Sequence, residues 1–85
     1  MDKPHTHSSH PKIAARLKRA YGHLQSVIEM IEQGRPCVDL AQQLQAVESA
    51  IRNTKQALIH DHLDHCLGDE TAPAVAELKA ITRYL

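Results

Sequence analysis

The chain has no tryptophan and no phenylalanine, and only two tyrosines among its 85 residues. A chain this short buries little core. Without aromatic bulk the deficit has to be made up elsewhere, and association of copies is the usual way. No apolar run reaches the ~18 residues of a membrane-spanning helix. The N-terminus is rich in His and Ser and has no apolar signal core. Both features predict a cytoplasmic protein, whose two cysteines would be reduced. Acidic residues are missing from Lys3 to Ile28, where five Lys or Arg fall, and nine of the ten acids lie at or after Glu29. A formal net charge of zero therefore hides a basic segment suited to an anionic partner, although a solvated face gives the same charge run. Paired carboxylates at a useful spacing, a Gly-rich phosphate loop and a His-Glu-x-x-His motif are all lacking, which argues against an enzyme.

What the chain does have is histidine, seven in all, a density that points to metal. Residues 1–10, MDKPHTHSSH, read as a flexible arm carrying His5, His7 and His10. Residues 11–85 read as one helical domain with helices over about 11–33, 37–66 and 72–84. In the first, Ile13, Leu17, Ala20, Leu24, Ile28 and Ile31 recur at steps of three and four, and Gly34 caps the end. Lys12, Arg16, Arg19 and His23 form a second stripe, basic and exposed, whose regular spacing favours a phosphate-binding face. Gly22, mid-helix, costs about 1 kcal/mol relative to Ala, and close approach of another helix is the expected reason.

The organising stretch is the second helix. At about 100° per residue, Leu40, Leu44, Val47, Ile51, Thr54 and Leu58 fall in one narrow stripe, with Cys37, His62 and Cys66 at its edge. Arg52 and Lys55 lie outside it and either extend the basic surface or serve solubility. His65 is near the stripe and His60 points away. The third helix, capped by Thr71 with Pro73 in its first turn, would cover the others with Val75, Leu78, Ile81 and Leu85. No strand pattern or internal repeat appears.

Thiolate and imidazole together suit borderline and soft metals rather than magnesium or calcium. His62 and Cys66, at i and i+4, converge on one side of the helix. Cys37 is 25 residues before His62, roughly 38 Å along an unbroken helix at 1.5 Å per residue, whereas metal–ligand bonds are about 2.0–2.3 Å long. One protomer cannot bring the two together. A second copy packed antiparallel along the stripe can, twice per dimer by symmetry. Three ligands, two of them thiolate, suit Cu(I). A fourth, such as a histidine from the arm, would suit Ni(II), Co(II) or tetrahedral Zn(II).

A helical chain of this length with Cys37, His62 and Cys66 at this spacing, together with RLKRAYGHL (16–24) and CVDLAQQLQAVESAI (37–51), resembles the CsoR/RcnR family of bacterial metal-sensing repressors. The resemblance covers essentially the whole chain. It implies an all-α, three-helix protomer with one long central helix, an antiparallel dimer with metal sites between protomers, and assembly into a dimer-of-dimers tetramer. It further implies operator DNA bound through basic surfaces of the first two helices and released on metal binding, usually from the promoter of an efflux transporter. Carried over residue by residue, Cys37, His62 and Cys66 match the family's ligands. His5, 32 residues before Cys37, matches the N-terminal ligand of nickel and cobalt sensors, with His7, His10 and His65 as further candidates. Arg16 matches a DNA-contact arginine and Arg19 does so more weakly. Lys12, Arg52 and Lys55 complete the candidate DNA surface. The copper sensors use only the Cys37, His62 and Cys66 positions. His23 departs from the glutamine common in relatives. The leading expectation is a Ni(II)- or Co(II)-responsive repressor. The alternatives are a Cu(I) sensor, a formaldehyde or thiol sensor on the same scaffold, and a small metal-storage protein that never meets DNA.

Overall fold

The computed structural model of the chain describes residues 9–66 and 71–85, the side chain of Cys66 excepted. Three helices follow in order: α1 over His10–Glu32, α2 over Cys37–Cys66 and α3 over Ala72–Ile81, with a 3₁₀ turn over Thr82–Tyr84. No strand occurs among the described residues. The expectations for the arm at residues 1–8, including His5 and His7, and for a helix end at Leu67-Gly68 lie outside the described residues.

Each boundary has a local cause. Pro11 sits in the first turn of α1, where its missing N–H is one of the helix's unpaired donors in any case. At the other end Gly34 adopts a φ of 74°, a left-handed conformation that side chains disfavour. The Arg35 N–H donates to the Met30 carbonyl at 3.0 Å, and the Gly34 N–H donates to that of Ile31 at 3.0 Å. This is the paired reverse bonding of a Schellman cap. Helix α2 starts beyond Pro36, whose carbonyl accepts from the Leu40 N–H at 3.1 Å. It then runs 30 residues without Gly or Pro, so nothing in the chain breaks it. Thr71 caps α3, its hydroxyl oxygen accepting from the Ala74 N–H at 3.4 Å.

Helices α1 and α2 form an antiparallel hairpin. Its buried seam is spaced by sevens, with Ile13, Ala20 and Val27 on α1 and Val47 and Thr54 on α2, the repeat that keeps one line of side chains facing a partner helix. The Thr54 hydroxyl donates to the Ala50 carbonyl at 2.7 Å, which satisfies it inside the seam. Ile59, 2% exposed, closes the core toward the C-terminal half of α2.

The core differs from the stripes drawn on a helical wheel. Val27 is inside, whereas Leu17, Leu24, Ile28 and Ile31 are exposed. On α2 the stripe divides: Val47 and Thr54 face α1, and Leu44, Ile51 and Leu58 stay outside. The apolar arc is wider than one neighbouring helix can cover. The 54 × 26 × 17 Å protomer is a slab with an uncovered apolar side. Helix α3 is a thin cover, with Leu78 and Ile81 half-buried and Val75 and Leu85 exposed. Gly22 does not serve close helix approach within the protomer, because a Cβ built there meets nothing within 4 Å.

Candidate metal centre and nucleic-acid interface

Helix α2 sets the geometry of the candidate metal ligands. Cys37 is its first residue and is exposed. His62 lies 25 residues on, so the continuous helix holds them roughly 38 Å apart. His62 is 8% exposed, and its Nε2 lies 3.5 Å from Glu77 Oε1 of α3. A carboxylate against one ring nitrogen is the outer-shell arrangement that fixes the tautomer and orientation of a ligand imidazole. Cys66 ends α2 one turn beyond His62. His65, expected near the apolar stripe, is turned back on its own helix, with Nδ1 2.9 Å from the Asp61 carbonyl oxygen and 3.3 Å from Asp61 Oδ1. His60 is exposed.

Among the described residues no three His, Cys, Asp or Glu side chains converge within one protomer as a metal cage. The donors nonetheless fit a thiophilic or borderline metal in kind: an exposed thiol at one end of α2, and a shielded imidazole with a carboxylate behind it at the other. The antiparallel hairpin returns the start of α1 to the C-terminal half of α2. His10, half-buried, therefore sits at the His62 end of the molecule, far from Cys37.

Between the two ends of α2 lies the uncovered apolar side. A groove of about 590 Å³ is lined there by Leu24, Ala41, Leu44, Val47 and Ile51 among others. On the other side of the hairpin lies a second, polar groove of about 320 Å³. Arg16, Arg19 and His23 line it from α1 and Asn53 and Thr54 from α2, over a floor of Ala20 and Ala50. The basic stripe is thus less exposed than its spacing implies. Lys12 and Arg19 are exposed, while Arg16 and His23 are half-buried against α2. His23 Nε2 is 2.6 Å from Gln43 Oε1, a side-chain bond that ties α1 to α2. Arg52 and Lys55 are exposed on α2 and line neither groove.

Glu77, Gln43 and Asn53 did not stand out in the sequence. Glu77 requires knowing the path of α3. The other two follow from hairpin register: with the turn near Gly34, residues whose numbers add to about 70 stand opposite one another, which faces Asn53 with the Arg16 turn.

No helix among the described residues is long and apolar enough to cross a membrane. Compared with protein families, residues 9–84 match the one described as metal-sensitive transcriptional repressor. The chain is 43% identical over 51 residues to the copper-sensing transcriptional repressor CsoR of Mycobacterium ulcerans, covering 60% of this chain and 44% of that protein. It is 40% identical over 58 residues to the protein of the same description from Bacillus subtilis, covering 68% and 57%. The chain thus spans about half the length of the curated relatives it matches. Among solved structures it is similar to the nickel-responsive transcriptional regulator InrS, with a TM-score of 0.79 and 29% identity over 98% of this chain and 100% of that one.

Proposed function

This chain belongs to the family of metal-sensitive transcriptional repressors, and we propose that it binds operator DNA when metal-free and releases it on taking up Ni(II) or Co(II) at a site shared between two antiparallel protomers. The family is one of repressors rather than enzymes. Release would derepress metal efflux.

The observation that carries this reading is the symmetry of α2 about Ile51. Leu44 and Leu58 stand seven residues to either side, and all three are exposed. Two copies crossing on a two-fold axis at Ile51 set Leu44 against Leu58 of the partner subunit. The same axis sets Cys37, fourteen residues before Ile51, against the turn from His62 to Cys66 of the partner subunit, eleven to fifteen residues after it. One register therefore covers the apolar side and completes the ligand set. Dimers would pair further into a tetramer.

His5 is the candidate fourth ligand, with His7, His10 and His65 as alternates. His5 is five residue steps from His10, a reach of at most about 18 Å, and His10 stands at the His62 end. Four N and S donors suit Ni(II) or Co(II) and admit Zn(II). A second reading, a Cu(I) sensor using Cys37, His62 and Cys66 alone, draws support from the copper-sensing descriptions of the relatives.

Operator DNA would lie on Lys12, Arg16, Arg19, Arg52 and Lys55, through phosphate contacts whose strength falls with salt. By linkage, whatever weakens DNA binding when metal enters must weaken metal binding equally when DNA is bound.

Titrating the reduced apo protein, bound to a duplex from upstream of its own coding sequence, with Ni(II) and with Cu(I) tests the proposal. Ni(II) should produce a thiolate charge-transfer band and release the DNA, and His5→Ala should lose both. Release by Cu(I) alone, indifferent to His5→Ala, would assign the copper reading. An upstream duplex that is never bound would favour a metal-storage protein, and a mass increase at Cys37 after formaldehyde treatment an aldehyde sensor.

A further inference from the structure

Of the residues lining the apolar groove on the uncovered side of the hairpin, Glu48 alone carries a charge. No ion pair among the described residues holds it. A second copy laid over the groove takes water from this carboxylate, a cost that is offset only if the copy brings a cation to it. Lys55 is such a cation. It is exposed, as Glu48 is, and it too has no ion pair among the described residues. Its neighbours three and four residues away on α2 are Ile51, Arg52, Leu58 and Ile59, so its own helix offers it no acid at pairing distance.

Glu48 and Lys55 are seven residues apart. At about 100° per residue both are turned about 40–60° from Ile51 in the same sense. They therefore share one flank of the exposed line of Leu44, Ile51 and Leu58. The helical rise holds them about 10 Å apart within one chain. A two-fold axis at Ile51 brings them together. Glu48, three residues before the axis, lies level with Thr54 of the partner subunit, one residue and about 1.5 Å short of the partner's Lys55. The four-carbon stem of lysine spans that offset. Symmetry makes the pair twice, once on each side of Ile51. Parallel helices in register would instead set each residue level with its own copy, like charge against like.

We propose that Glu48 of each chain pairs with Lys55 of the partner subunit, and that these two ion pairs fix the antiparallel register of a second copy of this chain laid over the groove. The inference rests on the shared-site reading and names the residues that choose its register. On this assignment Lys55 serves the interface, and the operator surface rests on Lys12, Arg16, Arg19 and Arg52. Exposed flanking pairs add little affinity. They act chiefly by penalising wrong partners and wrong registers.

Charge reversal tests the pairing. Glu48→Lys and Lys55→Glu each turn both attractions into repulsions, and each should weaken self-association about tenfold to a hundredfold in sedimentation equilibrium. Helicity by circular dichroism should hold, since both side chains are exposed. An equimolar mixture of the two variants should regain association, because both pairs across a mixed interface are again opposite in sign. With one chain nitrogen-15-labelled, native mass spectrometry should show mixed dimers well above the roughly half that random pairing gives. Arg52→Glu controls for net charge, and for Arg52, at i+4 from Glu48, as a rival partner. Mixed with Glu48→Lys, it should give no comparable excess. Preferential pairing of Glu48→Lys with Lys55→Glu alone supports the proposal. Random pairing, with each variant associating as wild type does, overturns the ion pairs and leaves the shared-site reading standing. An equal excess with Arg52→Glu also overturns them. A wild type that stays monomeric overturns the shared-site reading and the ion pairs together.

Discussion

Replacing Ile51 with Glu is the sharpest perturbation of the proposed two-fold axis. Ile51 is 47% exposed in the protomer, so a charge there is hydrated and costs the isolated hairpin little. In the proposed antiparallel dimer two copies of residue 51 would meet. Full burial of an isoleucine side chain stabilises by about 1.5–3 kcal/mol. Covering the exposed half of two of them contributes about 1.4–2.8 kcal/mol per dimer, all of it lost in the variant. Two carboxylates about 5 Å apart at an effective dielectric of about 20 repel by a further ~3 kcal/mol, before any desolvation. The sum, about 5 kcal/mol or more, raises the dimer dissociation constant by over three orders of magnitude. Ile51→Ala, which removes only the apolar part, should raise it about tenfold to a hundredfold. Sedimentation equilibrium across micromolar concentrations, with far-ultraviolet circular dichroism to follow helicity, measures both. An Ile51→Glu protein that sediments as wild type does would refute the axis at Ile51 and the ligand pairing built on it.

Two further substitutions separate the surfaces. Gly22→Ala should stabilise the protomer by about 1 kcal/mol, because a Cβ there meets nothing within 4 Å; a melting temperature that falls instead would place Gly22 against another copy. Arg16→Ala should weaken DNA binding and lower the magnitude of the salt slope by about one while metal affinity holds, and an unchanged slope and affinity would remove Arg16 from the interface.

The helices were legible because their punctuation is chemical. Gly34 and Pro36 separate α1 from α2, the absence of Gly and Pro lets α2 run to Cys66, and Thr71 with Pro73 opens α3. Burial was legible only in part. A helical wheel finds the apolar arc of α2 but not which half faces its own α1 and which half is left over. It therefore grouped Val47 with Leu44 and Ile51, although only Val47 is buried. Val27 and Ile59 were missed for the same reason: their burial depends on how neighbouring helices pack, not on their own spacing. The separation of Cys37 from His62 is arithmetic on a helix and needed no coordinates once α2 was continuous. Glu77 beside His62 depends on where α3 returns after residues 67–70, a path that local pattern does not encode.

The central claim is that the ligand set is divided between two chains. Mixing two variants tests it most directly: Cys37→Ala and His62→Ala, each unable to build a shared site alone, are unfolded together, refolded and titrated with Ni(II) and with Cu(I). If the site spans protomers, a mixed dimer holds one complete set, Cys37 from the His62→Ala chain and His62 from the Cys37→Ala chain. The mixture should then regain tight binding at up to one metal per mixed dimer, half of wild-type capacity. If each chain builds its site from its own residues, mixing restores nothing, and that result would contradict the account.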